Sequence, residues 1–251
     1  MIGRIGKIAL VTGASCSEDI GAAICRKLAA QGTDIFFTHW KSEQEWPENF
    51  CNEIKTNGVH CKCLEIDLSD PQAAYEILDC VSEELGLPSI LINNAAHSTR
   101  DGYKNLNAET LDDHYAVNMR ATFLLCAEFA RRLKQAGLHM GRIINMTSGQ
   151  ELGAMPGELA YASTKGAISA FTRSLASELA PLGITVNAVN PGPTDSTWMN
   201  NEIREHLLPK FPMGRIGLPE DVARIIAFLA SDEGEWITGQ IIHSEGGFIR
   251  G

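Results

Sequence analysis

Short runs of aliphatic and β-branched residues alternate along the chain with longer stretches whose apolar positions recur at helical spacing. The runs KIALVTG, TDIFFTH, VHCKCLEID, SILINNA, GRIINMTS, GITVNAVNPG and GQIIHSEGG predict strands, and the intervals between them predict helices. Strands that alternate with crossover helices form parallel sheets, and right-handed crossovers place helices on both faces. No repeat, low-complexity tract or Pro/Gly/Ser linker interrupts the pattern. The expectation is one α/β domain over residues 1–251, a doubly wound seven-stranded parallel sheet. Ligands of such sheets bind beyond the carboxyl ends of the strands, which directs attention to those ends.

Composition narrows the picture. With 44% hydrophobic and 21% charged residues, the 251-residue chain reads as an ordinary globular protein able to bury a core. A formal net charge of −10 disfavours non-specific binding to nucleic acid or anionic membrane. The seven cysteines follow no disulfide framework and mostly lie in apolar stretches, so they read as reduced thiols; Cys61 and Cys63 alone do not make a metal site. No leader-like segment and no long apolar run is evident, so a cytoplasmic location is expected.

The first strand leads into VTGASCSEDIGAAICRKLAAQG, a glycine-containing turn entering a helix. Unpaired amides and the positive end of the helix dipole suit a phosphate there; Gly13 permits a tight turn and Gly21 close packing. The G-x-G-x-x-G spacing is absent, and a plain connection is the alternative. The second strand ends in FFTHWKSEQ, without the acidic residue that binds the adenosine ribose of NAD. Lys41, or His39 if protonated, could pair with a 2′-phosphate, which favours NADP(H) over NAD(H). Asp67 in IDLSD reads as an adenine partner or as the cap of a helix starting near Pro71. Asn93 and Asn94 in LINNAAHS precede small residues that let backbone approach a flat cofactor, with a turn as the alternative.

The fifth strand ends in INMTSGQ, with Ser148 at its edge, and LAYASTKGAIS follows as helix. Tyr161 and Lys165 share one helical face, close enough for the ammonium to stabilise a phenolate. Lowering a tyrosine by two to three units from about 10 takes roughly 3 to 4 kcal/mol. A sheltered cleft can supply that and water cannot. Taken alone, the pair could equally be a solvated helix face.

Together, TGAS, LINNAA, HYAVN, NMTSG, YASTK and VNPGPT resemble the short-chain dehydrogenase/reductase family, in register over essentially the whole chain. WITGQIIHSEGGF adds similarity to its 3-oxoacyl-[acyl-carrier-protein] reductases. The resemblance implies a one-domain Rossmann fold, a tetramer, and catalytic Asn118, Ser148, Tyr161 and Lys165. In that family pattern Ser148 holds the substrate carbonyl and Tyr161 protonates its oxygen as hydride leaves the nicotinamide. Lys165 binds the nicotinamide ribose and lowers the Tyr161 pKa, and Asn118 holds a relay water. The cofactor contacts implied are Gly13, Ser15, Ile20, Gly21, His39, Lys41, Asp67, Leu68, Asn94, Ala95, Tyr161, Lys165, Pro191, Gly192 and Thr194, with a substrate lid over 195–211.

The match has departures. The family's first turn reads T-G-x-x-x-G-x-G, whereas TGASCSEDIG is two residues longer and lacks the middle glycine. That length is similar to the enoyl-carrier-protein reductase branch, whose Tyr and Lys stand seven apart. Ser148 and the spacing of four therefore favour carbonyl reduction. Ser15, Cys16 and Ser17 take the place of the basic residue that often precedes the middle glycine in NADP enzymes. Arg131, Arg132 and Lys134 offer part of a basic face for an acidic carrier protein, yet Ser177 stands where carrier-protein reductases commonly have arginine. The expectation is NADP-dependent reduction of a 3-oxoacyl thioester, with acyl carrier protein as candidate partner. The rivals are an alcohol or sugar dehydrogenase of free small molecules and a non-catalytic dinucleotide sensor; no metal is expected.

Overall fold

A computed structural model describes residues 7–250. Seven parallel strands, β1 (Ile8–Val11), β2 (Asp34–His39), β3 (Cys61–Glu65), β4 (Ile90–Asn93), β5 (Gly141–Met146), β6 (Ile184–Asn190) and β7 (Ile241–His243), form one sheet. Their order is β3-β2-β1-β4-β5-β6-β7. The helices are α1 (Ile20–Ala29), α2 (Trp46–Lys55), α3 (Ala73–Glu84), α4 (Ala108–His114), α5 (Thr122–Gln135), α6 (Leu159–Leu179), α7 (Asn201–Leu207) and α8 (Pro219–Ala230). The doubly wound parallel sheet read from the sequence is the one observed.

Alternation along the strands sorts the core into two layers. Ala9, Val11, Ile35, Phe37 and Ile92 pack with Ile24, Leu28, Phe50, Ile54, Ile226 and Leu229 of α1, α2 and α8. Ile8, Leu10, Phe36, Leu91 and Ile143 pack with Ile77, Leu78, Phe129, Leu133 and Leu179 of α3, α5 and α6. Burial on both faces explains why the central strands read as continuous apolar runs. Cys61 and Cys63 lie on the α2 side, with Cys61 Sγ 3.6 Å from Cys51 Sγ. No cluster among the described residues could hold a metal ion. No described helix is long and apolar enough to cross a membrane.

The strand order reverses direction between β1 and β4, the place where such sheets open a crevice. Hydrogen bonds tie the two strand ends together there. Asn94 Nδ2 donates to Thr12 O (3.0 Å) and Gly13 O (2.8 Å), and the amides of Asn94 and Ala95 donate to Thr12 Oγ1 (both 3.1 Å). Gly13 has φ +74°, and a Cβ on it would lie 2.7 Å from Ala95 Cα. A Cβ on Gly21 would collide with Gly13 O and lie 2.9 Å from Asn94 Nδ2. Turn, helix and neighbouring strand end thus meet only because both positions are glycine. Gly21→Ala is expected to lower stability by about 1 to 3 kcal/mol, read as a reduced urea midpoint with unchanged slope.

Candidate active site

The lengthened β1–α1 turn is organised around Asp19, the N-cap of α1. One carboxylate oxygen accepts from Ala22 N (2.6 Å), the other from Ser15 N (2.6 Å) and Cys16 N (2.9 Å). Burial pushes the Asp19 carboxyl up, against the pull of those amides. Arg26 pins the outer part of the turn by donating to Ser17 O (2.8 Å) and Ser17 Oγ (2.9 Å) while paired with Glu53. The expectation of free amides is therefore corrected at Ser15 and Cys16, which serve the internal cap. Ile20 and Gly21 are the first two residues of α1, positions whose amides have no partner within a helix.

At the end of β2, His39 is buried and its Nδ1 has no hydrogen-bond partner. Burial lowers its pKa, against the opposing pull of Glu65. Burial thus favours the neutral form of His39. Lys41 is exposed, has φ +52°, and sets its Nζ 5.4 Å over the Trp40 ring. Its amide donates to Glu65 Oε1 (3.2 Å), and Glu65 stands in register with His39. The sequence reading missed this carboxylate because it comes from β3, and only strand pairing brings it here. Ser42 Oγ is buried without a partner. Asp67 closes a local turn by accepting from Ser69 N (2.8 Å), while α3 begins six residues later at Ala73 with Gln72 as N-cap, so Asp67 is not the helix cap. Leu68 beside it is buried. The orphaned His39 Nδ1 and Ser42 Oγ, with the glycine cradle at Gly13 and Gly21, fit the adenosine diphosphate portion of a dinucleotide.

The catalytic candidates converge from three elements. Tyr161 and Lys165 lie on α6, Ser148 follows β5, and Asn118 lies in a π-helical segment, Tyr115–Ala121, between α4 and α5. Ser148 Oγ donates to Met155 Sδ (3.9 Å), and the Ser148 hydroxyl is near enough to Tyr161 to draw its pKa down. Lys165 is 2% exposed; its Nζ donates to Met146 O (2.9 Å) and sits 5.4 Å over the Tyr161 ring. Asn118 is fully buried: its Oδ1 accepts from His97 N (2.7 Å), and its Nδ2 donates to His97 O (2.9 Å) and Thr164 Oγ1 (3.0 Å). The π-helical geometry is of a kind that recurs at functional sites. Asn93 and Asn145 extend the polar layer, with Asn93 Nδ2 donating to Asn145 Oδ1 (2.8 Å) and Asn145 Nδ2 to Thr172 Oγ1 (3.0 Å).

Burial dominates the electrostatics of the pair. Burial pushes the Tyr161 phenol up to about 12; the Ser148 hydrogen bond pulls it down and Glu158 pushes it up. Burial pushes the Lys165 ammonium down to about 8. Lys165 Nζ stands 5.4 Å from the ring centroid and donates to Met146 O, and burial is the largest influence on the phenol. Tyr161 therefore carries its proton at neutral pH, the form a proton donor requires.

Beyond β6, Gly192 has φ +64° and donates its amide to Asn190 Oδ1 (2.9 Å), and a Cβ on it would lie 3.0 Å from Glu245 Cβ. Pro191 and Gly192 offer their carbonyls to Thr194 Oγ1 (3.5 and 3.3 Å), which fixes the turn. Trp198 Nε1 donates to Thr194 O (2.9 Å) with its ring half-exposed. Asp195 pairs with Arg204 of α7 (2.9 Å), and Met199, Phe211 and Ile216 form a small core with Phe248. A second unpredicted feature is Arg250, which pairs with the buried Glu245 and lies against Gly149 and Gly153 just beyond Ser148. Arg131 and Arg132, read as part of a docking face, are both ion-paired. They pair with Glu128 (3.4 and 3.0 Å), Arg132 also with Asp79 (2.7 Å), on the last turns of α5. That helix end leads into the start of β5, at the sheet edge opposite Ser148.

Comparison with known proteins agrees with this geometry. A family model described as enoyl-(acyl carrier protein) reductase matches residues 13–249. The chain belongs to the short-chain dehydrogenase/reductase family. It is 72% identical over 245 residues to an uncharacterized oxidoreductase YjdA of Bacillus subtilis, covering 98% of each chain. It is 37% identical to the 3-oxoacyl-[acyl-carrier-protein] reductase FabG of Pseudomonas aeruginosa, covering 96% of this chain and 97% of that one. A blue fluorescent protein from a metagenomic library, solved with NADPH, superposes with a TM-score of 0.87 at 31% identity over 98% of both chains. The chain is accordingly an NAD(P)-dependent oxidoreductase of this family.

The buried ammonium makes a measurable demand on stability. Lys165 lies near 8 in the fold against an ordinary 10.5, so between those values the unfolded chain binds more protons and stability rises with pH. Below pH 8 the full cost of the buried charge is present. Lys165→Met should therefore be more stable than the parent at pH 7, by up to about 3 kcal/mol, and the gap should narrow above pH 9; urea unfolding at both pH values checks it.

Proposed function

We propose that this family member reduces a ketone to a secondary alcohol with NADPH, with Asn118, Ser148, Tyr161 and Lys165 as its catalytic residues. The observation that carries the reading is the convergence of Tyr161 and Ser148 beside a buried Lys165, whose Nζ stands 5.4 Å from the Tyr161 ring centroid. The bound nicotinamide supplies the hydride. Ser148 orients the carbonyl by donating to its oxygen, and Tyr161 delivers the proton to that oxygen. Lys165 lies beneath the ring with Nζ directed at Met146 O, a position from which it can also reach a ribose hydroxyl. Asn118 joins the β4 end to α6 and holds the tyrosine helix in register. The pairing of Ser148 with a tyrosine four residues before the lysine supports carbonyl over enoyl reduction, although the matching model carries an enoyl reductase description.

A 3-oxoacyl thioester is the substrate class to test first, supported by the likeness to the Pseudomonas reductase; residues 195–211 belong to the proposal as its substrate lid. A free small-molecule ketone is the second reading. It is favoured by the arginines of α5, which are already paired and lie at the wrong edge to dock an acidic carrier protein. For the cofactor, NADP(H) is assigned on Lys41 and on the lack of an acid at the end of β2; Glu65 weighs for NAD(H). The remaining family contacts, from Gly13 and Ile20 to Pro191, Gly192 and Thr194, and the tetramer and cytoplasmic location, belong to the same proposal.

NADPH oxidation with acetoacetyl-CoA is expected to exceed NADH oxidation, followed at the nicotinamide absorbance. Tyr161→Phe should abolish turnover while NADPH fluorescence still reports binding. A variant that keeps most of its activity discards the assignment of Tyr161. Bound cofactor without thioester turnover transfers the proposal to free ketones.

A further inference from the structure

Helix α6 carries both Tyr161 and Lys165, yet its own N-cap residue, Glu158, makes no capping hydrogen bond with its side chain. The carboxylate that caps it comes from elsewhere. Asp101, in the loop after β4, accepts from Leu159 N through Oδ1 (2.8 Å) and from Ala160 N through Oδ2 (2.8 Å). Its own amide donates to Gly157 O (2.9 Å), and its carboxylate also takes the Gly102 amide. Asp101 is only 9% exposed. The loop that presents it is anchored at two earlier points. His97 is bonded through both backbone atoms to Asn118, and Thr99 N donates to Nε2 of the fully buried His114 (3.2 Å), whose Nδ1 meets Thr110 O (2.7 Å). The loop after β4 is therefore a strut between the π-helical segment and the first turn of α6. Asn118 grips α6 at Thr164, and Asp101 grips it at Leu159 and Ala160, on either side of Tyr161.

We propose that Asp101 is a positioning residue for the proton donor: its carboxylate supplies the cap that α6 lacks and fixes the turn of helix that carries Tyr161. The inference rests on the carbonyl-reductase reading for its kinetic consequence, but not for its structural one. A carboxylate at a helix start satisfies orphan amides and the helix dipole together. Here it does so one turn from the reacting hydroxyl, where a small displacement of the donor is costly. Cofactor binding draws on the β1 turn and on Lys165, one full turn deeper in the helix, so it should survive loss of the cap.

The test compares Asp101→Asn and Asp101→Glu with the parent. In Asp101→Asn, kcat per NADPH-binding site is expected to fall about 10-fold to 100-fold, with the NADPH dissociation constant within about twofold. The solvent deuterium isotope effect on kcat should rise as proton delivery becomes limiting, and Asp101→Glu should recover part of the rate. Amide hydrogen exchange, which needs no substrate, should quicken at Leu159 and Ala160 in Asp101→Asn. Exchange there at the parent's rate overturns the assignment, as does a lost kcat with an unchanged isotope effect. If no ketone supports turnover even in the parent, the proposed function fails while the exchange result still decides whether Asp101 holds the helix. Should Asp101→Asn fail to fold, Asp101→Glu carries the same comparison.

Discussion

The Lys165 ammonium lies inside the protein, and the site depends on what that burial requires. A buried cation is tolerated only where acceptors and polarisable groups replace water. Here those are the Met146 carbonyl at the end of β5 and the face of the Tyr161 ring. Both must hold their places for the charge to stay, so the end of the strand, the helix and the tyrosine are coupled through one side chain. The same lack of water that lowers Lys165 raises Tyr161, and the pair settles with the phenol protonated.

Around that pair the structure uses long-range hydrogen bonds in place of local ones. Asn118 ties the β4 loop to α6, Asn94 ties the end of β4 to the β1 turn, and Asn190 ties Gly192 to Glu245 beyond β7. Each asparagine offers a donor and an acceptor at once, which suits buried points where two strand ends must be held together. The crevice between β1 and β4 is thus bounded by cross-links between elements that meet only in the folded sheet. The segment beyond β6 is built differently: Met199, Phe211, Ile216 and Phe248 form a separate apolar cluster. A small core separate from the main one is the kind of unit that can open locally without unfolding the sheet.

Much of this was legible in the sequence because it is encoded locally. Two-sided burial writes continuous apolar runs, helices write their spacing, and Tyr161 and Lys165 share a face through helical geometry alone. Gly13 could be read as a tight-turn position and Gly21 as a close-packing one, and the positive φ of the first and the clash a Cβ would make on the second agree with that. Spacing failed where environment decides. It placed an ammonium near a phenol but could not say that the ammonium faces the ring, nor that burial outweighs the charge.

By itself, then, the sequence determined the order of elements, the sheet they build, and the residues that gather at its carboxyl edge, since backbone periodicity and helical phase are properties of neighbours in the chain. Tertiary structure alone decided the rest. It decided that Glu65 would reach the end of β2 through strand register. It also decided that Asp101 would cap a helix 58 residues away and that the arginines of α5 would face the opposite edge. These are pairings between segments distant in the chain, and which of their surfaces meet, and how dry the meeting is, is set only when the layers pack.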